Sequence, residues 1–190
     1  MEELLLVMTG LFWTVIIACI LAYFFKARPQ VAHSTWDHLI NDFSFSSKEF
    51  YTLLTKELRE KGITGVRYER VALKEGNIFS SRRQYLRIRW KDYHFDVCAA
   101  PFGKGFFLSW WLVYNSSLLE VLISYIPFIG DWLVKKLFTI TFYKIDTATM
   151  FMTFTHRAIL SVLDELTVEE GIPLIRHDER KPILNNIFTR

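Results

Sequence analysis

The segment from Leu4 to Phe25 reads LLLVMTGLFWTVIIACILAYFF, 22 residues without one ionisable side chain. As a helix rising ~1.5 Å per residue it reaches about 33 Å, enough for a hydrocarbon core of about 30 Å. Thr9 and Thr14 can return their hydroxyls to helical carbonyls, so they are tolerated there. Lys26, Arg28 and Pro29 follow the run and close it. A transmembrane helix is therefore expected, anchored through Leu4, Phe12, Trp13, Ile17, Leu21 and Phe25.

Charge sets the expected orientation. Glu2 and Glu3 flank one end without any Lys or Arg, whereas Lys26 and Arg28 flank the other. Basic flanks stay on the cytoplasmic side, so the larger C-terminal part is expected there. A cleaved signal peptide needs a basic start and an apolar core of about 7–15 residues, and this segment has neither. Ile16-Ile17-Ala18-Cys19 has the form of a bacterial lipobox, but the apolar run continues well past Cys19. In this layout Cys19 lies in the bilayer and Cys98 in the folded part, so the two do not pair, which suits a reducing cytoplasm.

The rest of the 190-residue chain is a mixed, foldable sequence. At 51% hydrophobic and 16% aromatic the chain as a whole is too apolar for a disordered tail. Its net charge of +3 is too small to announce a nucleic-acid binder, and none is expected as a partner. The reading divides the chain into an anchor over 1–28, a juxtamembrane tether over 29–45 and a cytoplasmic α+β domain over 46–190.

Ser46 and Glu49 form an S-x-x-E capping box, and Phe50, Leu53, Leu54 and Leu58 recur at helical spacing up to Gly62. Four strand-like runs follow: Val66–Leu73, Gln84–Trp90, Tyr93–Ala100 and Gly105–Tyr114. Short turns join them, which predicts a four-stranded antiparallel meander packed by helices. Ser117 and Glu120 open a second capping box, after which Pro127 and Gly130 divide the apolar stretch 118–138 into two short pieces. A possible fifth strand at Thr139–Lys144 precedes a long helix capped by Asp146 and running to about Leu166. Beyond Gly171 the chain reads as loop.

Several features carry functional expectations. Ile63–Lys91 holds eight Lys or Arg against two Glu. Beside a cytoplasmic leaflet, Arg82, Arg83, Arg87 and Arg89 could meet anionic headgroups, at about 1 kcal/mol for each well-placed cation. A solvated sheet face is the plainer reading. Phe106–Val113 is apolar on both alternating faces, which predicts a strand buried on both sides, with Trp110 and Trp111 as candidates for a partner interface. The 118–138 stretch is too short in each half to span a bilayer. It reads either as a core hairpin or as an amphipathic hairpin in the interface, with Phe128 and Trp132 in contact and Lys135 and Lys136 reaching headgroups.

The signals for catalysis are thin. His94, Asp96 and Cys98 share one face of a strand, but ~3.3 Å per residue sets His94 and Cys98 roughly 13 Å apart. A Cys98 nucleophile would need a base from elsewhere, such as His156. Phe102-Gly103-Lys104-Gly105 fails as a phosphate loop, because Cys98 stands at the first glycine position and Gly105 at the Ser/Thr position. No H-E-x-x-H or C-x-x-C occurs, so no metal or other cofactor is expected. The leading expectation is a single-pass, non-catalytic accessory or scaffold subunit of a membrane assembly, whose partners are the bilayer and either companion subunits or further copies of itself. A membrane-active, lipid-binding effector is the alternative, and an enzyme on a lipid-like substrate the third.

Overall fold

The computed structural model describes residues 8–10, 12–14, 31–74, 82–124, 126, 128–139 and 141–184. Leu4, Ile17, Leu21, Phe25, Lys26 and Arg28 lie outside the described residues, as does Cys19. Among the described residues, no helix is long and apolar enough to cross a membrane. The chain divides into two compact units, one of residues 1–29 with 116–139 and one of residues 30–115 with 140–190.

The second unit is α+β. Its described strands are β1 (Val31–Ile40), β2 (Arg67–Lys74), β3 (Arg82–Trp90), β4 (Tyr93–Phe102), β5 (Gly105–Tyr114) and β6 (Ile183–Leu184). They form one antiparallel sheet in the order β2-β3-β4-β5-β1-β6. The four strands of the expected meander are present, each within two residues of its expected ends. Alternation assigns their faces: Leu86 and Ile88 pair with Val97 and Phe95, which pair in turn with Trp110 and Leu112. All six are buried in one hydrophobic core.

Helix α1 (Ser47–Glu60) begins at the expected cap, where Ser46 Oγ accepts from the Glu49 N–H at 3.4 Å. It buries Phe50, Tyr51, Leu54 and Leu58. Tyr51 does more than fill space. The β3–β4 ladder ends at Tyr85 and Cys98, and the next residues in register are Gln84 and Ala99. There the Tyr51 hydroxyl accepts from the Ala99 N–H at 2.8 Å and donates to the Gln84 carbonyl at 2.9 Å. A side-chain oxygen stands where a strand-to-strand bond would be. Beyond it β3 stays paired with β2 and β4 with β5, so the two hairpins part. At the opposite join β1 runs so close to β5 that a Cβ on Gly105 would sit 2.6 Å from the Ile40 carbonyl oxygen.

Three segments depart from the sequence reading. The sheet has six described strands rather than four or five, because most of the segment read as a tether forms β1 and part of the tail forms β6. β1 pairs along β5 from Val31 to Ile40, with a register shift between Ala32 and Ser34. That irregularity, with the polar residues around Trp36, blurs its alternation. Among the described residues no strand falls in 139–144: Phe142–Glu169 is one helix, numbered α4 after the two short helices described below. Its cap is Thr141 rather than Asp146, and Thr141 Oγ1 accepts from the Lys144 N–H at 3.3 Å. The Tyr93 hydroxyl donates to the Lys144 carbonyl at 2.8 Å, tying the first turn to the sheet. The local cap and the tertiary contact from Tyr93 together override the strand propensity of Thr141, Phe142 and Tyr143.

The first unit contains α2 (Leu118–Ser124) and α3 (Gly130–Leu137), divided where Pro127 and Gly130 are expected to divide them. Ser117 Oγ accepts from the Glu120 N–H at 3.1 Å, as its capping box predicts.

Replacing Tyr51 with Phe leaves the Ala99 N–H and the Gln84 carbonyl without their partner. The expected loss is about 1–3 kcal/mol of unfolding free energy, read by urea titration in mild detergent. An unchanged midpoint would show that the strand ends close up without the hydroxyl.

Candidate functional site

The residues with functional promise fall in three places. The first is the α2–α3 hairpin of the first unit. The Gly130 N–H donates to the Ile126 carbonyl at 2.9 Å, and the Ile126 N–H to the Ile123 carbonyl at 3.0 Å. A Cβ on Gly130 would come 2.6 Å from the Ile123 oxygen and 2.8 Å from that of Ser124, so glycine alone permits this turn. Between these bonds stands Phe128, 106% exposed and at φ 67°. Leu119, Ile126, Ile129, Trp132 and Leu137 are exposed beside it in sequence. Lys136 Nζ sits 4.7 Å from the Trp132 ring centroid, and Lys135 is exposed next to it. The hairpin therefore holds together Phe128, Trp132, Lys135 and Lys136. Elsewhere in this unit Phe12 and Trp13 are exposed and meet edge to face at 6.1 Å.

The second place is the sheet face opposite the core, where the basic strand β3 is split and largely paired. Arg83, Arg87 and Arg89 share this face by alternation, while Arg82 falls on the other. Arg87 grips Asp96 with both arms, Nε to Oδ1 at 2.7 Å and Nη2 to Oδ2 at 2.6 Å. Arg89 Nε meets Glu69 Oε1 at 2.6 Å. Arg82 makes no ion pair with a described residue. The remaining cations of 63–91 are dispersed: Arg70 donates to the Lys48 carbonyl on α1, and Lys91 lies over the Trp90 ring.

Asp96 continues the network. Burial alone would raise its pKa, but the Arg87 fork and the neighbouring His94 outweigh burial and hold the carboxyl below its ordinary range. His94 Nδ1 donates to Asn115 Oδ1 at 2.7 Å. Its Nε2 lies 3.5 Å from Asp96 Oδ2 and makes no hydrogen bond. Cys98 shares the face, fully buried, and pairs across the ladders with Tyr85 and Ser109. Burial pushes its thiol pKa up, only partly opposed by Arg83. Such a thiol stays protonated and is a poor nucleophile.

The third place is the core. The Trp110 indole donates to His156 Nδ1 at 3.1 Å, and His156 Nε2 donates to the Arg180 carbonyl at 2.7 Å. Trp36 packs on His156 with ring centroids 5.3 Å apart and donates to the Glu179 carbonyl at 2.7 Å. Arg180 is held by both oxygens of Asp164, at 2.6 and 2.9 Å. Burial lowers the His156 pKa. Its role is to fasten the C-terminal segment to the core. Cys98 and His156 therefore lie on opposite faces of the sheet and cannot act as a nucleophile and its base.

The two tryptophans of β5 separate likewise. Trp110 is fully buried, whereas Trp111 is 47% exposed on the outer face. The strand is thus closed along its core side, and on the other side Ser109 and Val113 are buried, Phe107 is half-buried and Trp111 is open. Among the described residues, no group of His, Cys, Asp or Glu is placed to hold a metal ion. Sequence reasoning missed the parts played by Tyr51, Asn115 and Trp36. The one signal for Asn115 was its place at the end of β5, where a chain leaving a sheet needs polar partners.

No family model matches the chain. Nor does any curated protein sequence. Among solved structures, the crystal structure of TTHA0849 from Thermus thermophilus is similar over 70% of this chain and 98% of that one, at 16% identity and a TM-score of 0.25. A likeness this slight carries no argument about activity.

Removing one partner of the Arg87–Asp96 pair strands a buried charge. Asp96→Ala is expected to cost about 3–5 kcal/mol by denaturant titration, whereas the double variant Arg87→Met, Asp96→Leu recovers most of it. Equal losses in both would show that the pair is not coupled.

The pH dependence has a definite sign. Burial lowers the pKa of His33 and of His156 from 6.5, so the unfolded chain binds more protons below that pH. Their stabilisation is present above about pH 6.5 and declines as pH falls toward the lowered values. His156→Gln keeps one donor and one acceptor and does not titrate, so its stability should fall less between pH 7 and pH 5. Parallel wild-type and variant curves would remove His156 from the acid response.

Proposed function

We propose that this chain is a single-pass membrane protein whose second unit lies on the cytoplasmic side and serves a membrane assembly as a non-catalytic accessory or scaffold subunit. The observation that carries the reading is the uncharged run Leu4–Phe25, with Lys26 and Arg28 behind it. The chemistry of the second unit supports the non-catalytic part. The buried polar side chains that sequence reading offers for catalysis are engaged in structural contacts: Asp96 with Arg87, His94 with Asn115 and His156 with Trp110. Exposed Trp111 on β5, with Phe142 and Tyr143 on α4, provides aromatic surface of the kind that protein interfaces favour.

Two other readings have less support. A lipid-binding effector working through the basic sheet would have to use Arg87 and Arg89, and both are already paired with acids on neighbouring strands. For an enzyme on a lipid-like substrate, the candidate nucleophile Cys98 is buried with a raised pKa.

Extraction of the tagged chain from its native membrane in mild detergent, followed by mass analysis of the particle, tests the subunit reading. Stoichiometric companions, or a defined oligomer of the chain itself, are expected. A lone monomer carrying only lipid would overturn it.

A further inference from the structure

We propose that the α2–α3 hairpin is a shallow insertion element for an anionic lipid surface, with Phe128 at its tip and Lys135 and Lys136 at headgroup level. This inference rests on reading the chain as a membrane protein and adds a second, separate contact with the bilayer.

The strongest observation is Phe128 itself. A bulky residue in the left-handed region is strained, because its Cβ crowds its own backbone. Here that strain holds a phenyl ring wholly in the open. The backbone around it is not slack. The Gly130–Ile126 hydrogen bond closes the turn, and the missing Cβ of Gly130 lets α3 start against the last carbonyls of α2. The ring is thus presented by a fixed turn.

The flanking residues suit the same occupant. Ile126 and Ile129 are exposed on either side of Phe128, and Trp132 is 59% exposed about one helical turn further on. An indole with an apolar body and a polar N–H belongs at the boundary between acyl chains and headgroups. Lys136 lies over that indole, and Lys135 is exposed beside it, so two cations follow the apolar tip. Long basic side chains reach back from such a boundary toward phosphate. A protein partner would be served as well by apolar contact alone. Asp131 stands in sequence between the tip and the indole; past it, the order indole then two lysines is that of a bilayer surface read outward from the acyl chains.

Length and placement agree. α2 and α3 have seven and eight residues, far below the ~20 that spanning requires, so they lie in the interface. The hairpin also belongs to the same compact unit as residues 1–29, which include the run Leu4–Phe25. Exposed Phe12 and Trp13 belong to that unit too.

The test uses the full chain with Cys19→Ser, so that a single cysteine can be labelled with nitrobenzoxadiazole while buried Cys98 stays unreacted. One sample carries the label at Phe128→Cys and a reference carries it at Lys104→Cys, in the exposed β4–β5 turn. Both are reconstituted in phosphatidylcholine vesicles with and without phosphatidylglycerol. The label at 128 is expected to be shielded several-fold from aqueous iodide relative to 104 and quenched by lipid spin-labelled near the headgroup. Phosphatidylglycerol should strengthen both effects, and the exposed-site variant Lys135→Glu, Lys136→Glu should abolish that gain. Iodide access at 128 equal to that at 104 would overturn the proposal. So would shielding without quenching by spin-labelled lipid, which would mean that the tip is covered by protein. A carbonate wash of the same vesicles separates the two readings. A chain that resists the wash with an open label at 128 keeps its anchor and loses the hairpin contact. A chain that is stripped by the wash but was shielded and lipid-quenched beforehand loses the anchor and keeps the hairpin contact.

Discussion

The hydrogen bond between Trp110 and His156 is the joint on which the second unit depends. It ties the middle of the sheet to the long helix through a buried hydrogen bond. From there the connection passes on, because the second nitrogen of the same ring holds the Arg180 carbonyl. Trp36 lies against the imidazole and fastens Glu179, so β1, β5, α4 and the C-terminal segment meet around one side chain. An apolar residue could fill the volume of His156, but it could not satisfy an indole and a carbonyl at once.

The opposite face of the sheet follows a different logic. Arg87, Asp96, His94 and Asn115 form a chain of polar contacts across three neighbouring segments of backbone. A one-residue slip of β3 would turn Arg87 toward the core and Leu86 and Ile88 toward the polar side. The network therefore specifies the pairing of β3 with β4. That use of charge and imidazole explains why a face with histidine, aspartate and cysteine in alternation is assembled like a structural seam. Each group that could do chemistry already holds a neighbour in place or, as with the Cys98 thiol, is sealed from the thiolate form.

The sequence was most readable where one physical signal dominated. In β3, Leu86 and Ile88 alternate with arginines, so its face and its end at Trp90 could be read directly, while its start lies two residues before the expected Gln84. Ser46 and Ser117 marked helix starts because a cap is a local interaction between residues three apart. β1 was not readable, since His33, Ser34, Asp37 and His38 make it look like a solvated linker and its register shift breaks the alternation. What makes β1 a strand is the open edge of β5, a partner more than sixty residues away in the chain. The start of α4 failed for a related reason, because the Tyr93 hydroxyl that ties down its first turn comes from the sheet. Among candidate site residues, the hairpin group at 128–136 could be found from Pro127, Gly130 and the two lysines. The pairing of Arg87 with Asp96 needed the ladder.

Tyr51 gives the sheet an unequal pair of seams. An amide bonded to the next strand exchanges its proton only when the strands separate, and its protection measures the sheet. The Ala99 amide is bonded instead to a phenol carried by α1. Its proton becomes available whenever that helix lifts, even while Leu86, Ile88 and their partners remain zipped. Ala99 is therefore a natural gauge of helix docking set into the edge of a strand. A comparison of its exchange with that of Val97 would resolve two openings of this fold that unfolding midpoints merge into one.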